Sequence, residues 1–186
     1  MGEREQLLMR LPTLADAQEP VLEDGFTLEQ VPLAQAGELA ALLQSAFGDP
    51  WDEDRVCREL GADNGVQAIY GIRSHAQLIA TASARAIPPL YPNSGYVHWV
   101  GVDPVHRGRS LGKLVTAAVL VHFREAGLED SVLETDDYRL PAIKTYLGLG
   151  FVPEYRTPEH RLRWSKIFRA SQSRKDTRDA ATSVAS

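Results

Sequence analysis

The sequence predicts an α/β fold, α+β in character: a mixed, mostly antiparallel sheet of six or seven strands with a central parallel strand pair, and about four helices. Three observations predict it. His98 to Val102 is β-rich and largely apolar, Leu114 to Phe123 is apolar except for Thr116 and His122, and Ser131 to Thr135 is strand-like again. A strand, a helix too apolar for a surface and a second strand imply a right-handed crossover between parallel neighbours. Val66 to Arg73 and Gln77 to Ile87, joined by Ser74-His75-Ala76, read as an antiparallel hairpin with His75 a turn residue. Arg139 to Leu149 then has helical spacing, with Pro141 in its first turn and Gly150 placed to cap it.

The remaining elements follow in order. Met1 to Asp24 is mixed; Leu7 to Leu11 suits a helical turn that Pro12 stops, so residues 1–24 are expected to be a loosely ordered extension. Phe26 to Val31 alternates as a first strand. Ala34 to Phe47 places Leu39, Leu42, Leu43 and Phe47 at helical spacing, and Gly48-Asp49-Pro50 ends it. Asp52 to Leu60 is a short helix capped by Asp52 and closed by Gly61. Pro88 to Gly95 holds three prolines and must be a stiff loop, placed to overhang a pocket beside the strand that follows. Asp103-Pro104 stops that strand. Phe151 and Val152 open another strand, and Arg161-Leu162-Arg163-Trp164 alternates as a last one, to about Phe168. Residues 169–186 have almost no large apolar side chain and are expected to be a disordered tail, leaving 25–168 as one domain.

Bulk properties narrow the function. At 186 residues with 44% hydrophobic content, the chain can build one sizeable core. Its net charge of −5 argues against a nucleic-acid partner. The single cysteine, Cys57, cannot form an internal disulfide and lies among charged residues, as a bystander thiol would. The sequence lacks an 18-residue apolar run and a secretory-type N-terminus, so no membrane association and a cytoplasmic location are expected.

The chemistry sits between the crossover strand and its helix, at Arg107-Gly108-Arg109-Ser110-Leu111-Gly112-Lys113. A helix N-terminus offers unpaired N–H groups and a dipole that favours an anion. Gly108 and Gly112 allow close backbone approach, and Arg107, Arg109 and Lys113 add positive charge. The loop reads as a phosphate cradle, without the GxxxxGK[ST] or GxGxxG spacing.

Arg107 to Gly112 resembles the R/Q-x-x-G-x-G/A signature of the GNAT-type (Gcn5-related) N-acetyltransferases, with Ser110 where the first signature glycine is usual. Ala142-Ile143-Lys144-Thr145-Tyr146-Leu147-Gly148-Leu149-Gly150-Phe151 is similar to that family's A-x-x-x-Y-x-x-L-G-F helix. The resemblance implies a GNAT-like fold and acetyl transfer from acetyl-CoA, with no metal, to a primary amine of a small molecule or peptide. It implies that Arg107, Gly108, Arg109, Ser110, Leu111, Gly112 and Lys113 hold the pyrophosphate, and that Val100, Gly101 and Val102 run beside the pantetheine arm. It implies that Tyr146 serves the departing thiolate. The family's usual asparagine is replaced by Arg139, which could reach a phosphate or an acceptor carboxylate. Trp51, Asp52, Glu53 and Asp54 would line one wall of the acceptor site, although capping alone accounts for the acids.

The base is open between His98, Glu134 and a relay of water. Regular alternation would put His98 and Val100 on one face of their strand, and a bulge would break that parity. The other readings are a non-catalytic CoA-binding sensor or interaction module of the same fold, and an unrelated nucleotide-phosphate-binding domain. Proteins of the family often form homodimers; the sequence leaves oligomeric state, acceptor and the size of the acyl group open.

Overall fold

The computed structural model describes residues 5–170. Among them, seven strands form one sheet in the order β2-β3-β4-β5-β6-β1-β7, flanked by five helices. The strands are β1 (Leu7–Leu11), β2 (Phe26–Gln30), β3 (Val66–Ser74), β4 (Gln77–Ala86), β5 (Ser94–Val102), β6 (Asp130–Thr135) and β7 (Val152–Glu154). The helices are α1 (Ala36–Phe47), α2 (Glu53–Val56), α3 (Leu111–Glu125), α4 (Leu140–Leu147) and α5 (residues 158–170). A π-turn, Cys57–Gly61, extends α2.

The expected central feature is present. β5 and β6 pair in parallel and all other neighbours are antiparallel. The crossover helix α3 is as buried as its composition demands: Val115, Val119 and Phe123 are fully enclosed. Each such side chain contributes roughly 1.5–3 kcal/mol over its exposed state. α3 and α4 cover one face with Val97, Leu133 and Tyr146; α1 and α2 cover the other with Trp51, Ile69 and Leu78.

Two expectations are corrected. Leu7–Leu11 is no loose extension: it is inserted between β6 and β7, antiparallel to both, with Leu7, Leu8 and Met9 fully buried. Arg10 fixes its register, donating to Asp130 Oδ2 at 2.7 Å and Glu154 Oε2 at 2.8 Å. A five-residue apolar run suits a strand or a helical turn equally, and the partner that decides is far along the chain. The segment from Arg161 to Phe168, expected as a strand, is α5. Its buried side chains are His160, Arg163, Trp164 and Ile167, a helical period that overrides four residues of alternation. Arg163 fastens α5 by a bidentate pair to Asp137 at 2.6 and 2.7 Å. Residues 171–186, most of the expected tail, lie outside the described residues.

Candidate active site

The parallel pairing of β5 and β6 stops early. Ser94, Gly95 and Tyr96 pair with Asp130, Ser131 and Val132, and beyond them the strands part. β5 continues along β4 to Val102, and β6 continues along β1 to Thr135. The result is a fork in the middle of the sheet, closed at one end by Ser131 Oγ donating to the Gly95 carbonyl at 3.0 Å. A bulge marks the open limb: Trp99 and Val100 together oppose Ala82. Trp99 takes φ +48°, rare for a bulky residue. The bulge breaks alternation, so His98 lies against Tyr96 on the α1 face while Val100 packs into the α3 core. Gly101 faces α1, where a Cβ would stand 3.2 Å from that of Ala46; packing against the helix explains this glycine.

The Arg107–Lys113 loop lies directly beyond β5. Asp103 ends the strand by accepting from Val105 N at 2.8 Å. Gly108 (φ +85°) and Ser110 (φ +58°) are both left-handed, turning the chain into α3. The first carbonyl accepting inside the helix is that of Ser110, from Leu114 N at 3.0 Å, so the amides of Leu111, Gly112 and Lys113 precede the helical ladder. A Cβ on Gly112 would meet only Val102, at 3.5 Å, so packing does not require glycine there. These features fit a diphosphate held by main-chain N–H groups. Arg107 donates to the Ala46 carbonyl at the end of α1 at 3.0 Å, and Arg109 lies 5.7 Å over the Phe26 ring. Lys113 is exposed beside the amides.

A row of aromatic rings lines the α1 face of the fork. Tyr91 stacks on Tyr96 (5.8 Å), Tyr96 meets His98 (5.5 Å), and His98 meets Trp99 (4.9 Å). Trp99 in turn meets Trp51 (4.7 Å) and Phe47 (5.7 Å). Glu134 shares this face with Val132 and Tyr96. Tyr91 donates to its Oε1 at 3.1 Å and Tyr96 to its Oε2 at 3.2 Å. Burial, reinforced by the Glu134 charge, raises the Tyr96 phenol well above its ordinary value. Burial, then the Arg85 cation, lowers His98 to about 4. His98 is therefore neutral near pH 7 and a weak base, and its Nδ1 is buried without a partner among the described residues.

Tyr146 lies on the opposite face, in the α3–α4 core against Phe151. Its hydroxyl has no hydrogen-bond partner among the described residues, and burial pushes it up to about 12. Arg139, at the start of α4, pairs with Asp136 at 3.0 Å and lies 5.0 Å over the Phe47 ring, spanning from α4 to α1. Of the four wall residues, Trp51 reaches the site through Trp99. Asp52 is the α2 cap, accepting from Arg55 N at 2.7 Å, and Asp52, Glu53 and Asp54 are exposed. Cys57 is exposed. Sequence reasoning missed Tyr96, Tyr91 and Arg156. Alternation from His98 could have found Tyr96, whereas nothing local distinguishes the other two.

A model of the acetyltransferase (GNAT) family matches residues 36–151, more than half of the chain. The chain belongs to the GNAT family. The match spans the fork, the cradle and the Tyr146 helix. A mycothiol acetyltransferase from Mycobacteroides abscessus is 43% identical over 117 residues, covering 63% of this chain and 36% of that protein. A GCN5-related N-acetyltransferase from Kribbella flavida superposes with a TM-score of 0.59 at 24% identity, covering 81% of this chain and 55% of that one. A Salmonella typhimurium protein solved with its cofactor acetyl-CoA superposes with a TM-score of 0.58 at 17% identity, covering 69% and 80%. The chain spans 21% to 38% of the length of the first curated relatives it matches. Among the described residues, no helix is long and apolar enough to cross a membrane, and no group of three or more histidine, cysteine or acidic side chains could hold a metal ion.

Proposed function

We propose that this chain is an acetyl-CoA-dependent N-acetyltransferase acting on a primary amine of a small molecule, in the cytoplasm. The observation that carries the proposal is the fork between β5 and β6, with a cradle of main-chain N–H groups at its open limb and a solvent-accessible carboxylate, Glu134, on one face. The M. abscessus relative, named for mycothiol, supports a small-molecule acceptor over a peptide.

Acetyl-CoA supplies the acetyl group as a thioester when bound. Gly108 to Lys113 would hold its diphosphate, with Val100 and Val102 alongside the pantetheine arm. Glu134, partly exposed on the face of the fork, takes the proton from the amine nitrogen. His98, enclosed between Tyr96 and Trp99, serves as part of the aromatic wall. Tyr146 keeps its proton and donates a hydrogen bond to the departing sulfur. Arg139 is placed to meet an anionic group of either substrate.

Gly112→Asp tests the cradle. An acid in the first turn of α3 favours the helix and opposes a diphosphate, so calorimetry should show unchanged folding and an acetyl-CoA affinity lower by about tenfold or more. A folded wild type that does not bind acetyl-CoA overturns the proposal. One that binds it but releases no thiol with a panel of small amines is a coenzyme-binding module instead.

A further inference from the structure

Three segments distant in sequence meet at Glu134, and two of them have no part in the chemistry described so far. Tyr91 comes from the proline-bearing loop before β5 and is 3% exposed. Arg156 follows β7, at the far side of β1. Arg156 Nη2 donates to the Tyr91 hydroxyl at 2.8 Å, and its guanidinium lies 5.4 Å over the Tyr91 ring. Arg156 Nη1 stands 3.9 Å from Glu134 Oε1.

The direction of this chain is fixed by chemistry. A guanidinium has donors only, so the Tyr91 oxygen must accept from Arg156. The one Tyr91 proton is then left for Glu134 Oε1, and a cation polarises the phenol that gives it. The stacked Tyr96 supplies Oε2 in the same way. Glu134 is thus held in one orientation by two phenols, one of them backed by an arginine. Each carboxylate oxygen still has lone-pair capacity beyond the bond it accepts here.

We propose that Tyr91 and Arg156 are positioning residues for Glu134, holding its carboxylate in one orientation, aimed into the fork. This rests on the reading of Glu134 as the proton acceptor. It also gives the stiff loop a role: Ile87 accepts from Leu90 N at 2.9 Å and Tyr91 N at 2.8 Å, a turn that presents the Tyr91 phenol to β6.

The test is steady-state turnover of acetyl-CoA by free-thiol detection, with a panel of small amines and with water alone. It compares wild type, Tyr91→Phe, Arg156→Met, Arg156→Lys and Glu134→Gln. Tyr91→Phe should lower kcat about tenfold, the scale of one hydrogen bond to a charged group, with KM little changed. Arg156→Met should act in the same direction, and Arg156→Lys should recover part of the loss. Adding Tyr91→Phe to Glu134→Gln should cost nothing further. Wild-type kcat in a folded Tyr91→Phe protein overturns the proposal and leaves Glu134 standing. Wild-type behaviour of Glu134→Gln, or no turnover by folded wild type, overturns the underlying reading and this inference with it.

Discussion

Trp51 and Trp99 meet edge to face with ring centroids 4.7 Å apart, joining the α1–α2 connection to the β5 bulge. Trp99 holds φ +48° there, a conformation costing about 1–2 kcal/mol for a residue with a Cβ. Packing between Trp51 and Phe47 offsets that cost, so Trp51 props the bulge. Trp51→Leu should lower stability by roughly 2–4 kcal/mol in equilibrium urea unfolding. It should raise KM for the amine and leave acetyl-CoA affinity unchanged in calorimetry. A fall in coenzyme affinity would mean that the wall and the cradle are coupled through the bulge.

Ser110 occupies a signature glycine position in the conformation glycine prefers, φ +58°. Its side chain makes no cap hydrogen bond to α3. Ser110→Gly therefore relieves strain without losing a contact. It should stabilise the fold by about 1 kcal/mol, a rise in Tm of roughly 2–4 °C, with acetyl-CoA binding retained. A lower Tm would show that the added chain entropy of glycine outweighs the strain.

His98 has a folded-state value of about 4, below its ordinary 6.5, because burial disfavours the imidazolium. Between those values the unfolded chain binds the extra proton, so this group's stability contribution is full above about pH 6.5 and is lost as pH falls toward 4. His98→Gln should flatten that part of the stability profile, read by chemical denaturation at pH 7 and pH 4.5. An equal loss in both proteins would assign the acid sensitivity to other groups.

The Tyr146 hydroxyl has no partner among the described residues, and burial keeps it protonated across any ordinary assay range, at about 12. Tyr146→Phe should fold normally and bind acetyl-CoA. Its kcat should fall about 10- to 100-fold if the phenol serves the leaving sulfur. An unchanged kcat would reduce Tyr146 to a core residue packed on Phe151.

The sequence by itself determined the crossover, the glycine-bearing turn into α3 and the Tyr146 helix. Each rests on local information: an apolar run of one period, a proline or glycine at a break, a short motif around a helix end. Tertiary structure decided what depends on partners. Leu7–Leu11 became a strand because β6 and β7 supply its hydrogen bonds on both sides. Residues 158–170 became a helix because Trp164 and Ile167 had a core to face. The choice between His98 and Glu134 was also unreadable locally, since both are titratable residues on neighbouring strands. The proposed assignment to Glu134 rests on what surrounds each: the imidazole is buried beside the Arg85 cation, while Tyr91 and Tyr96 turn their protons toward the carboxylate. Burial and hydrogen-bond direction belong to the assembled fork, and no spacing along the chain encodes them.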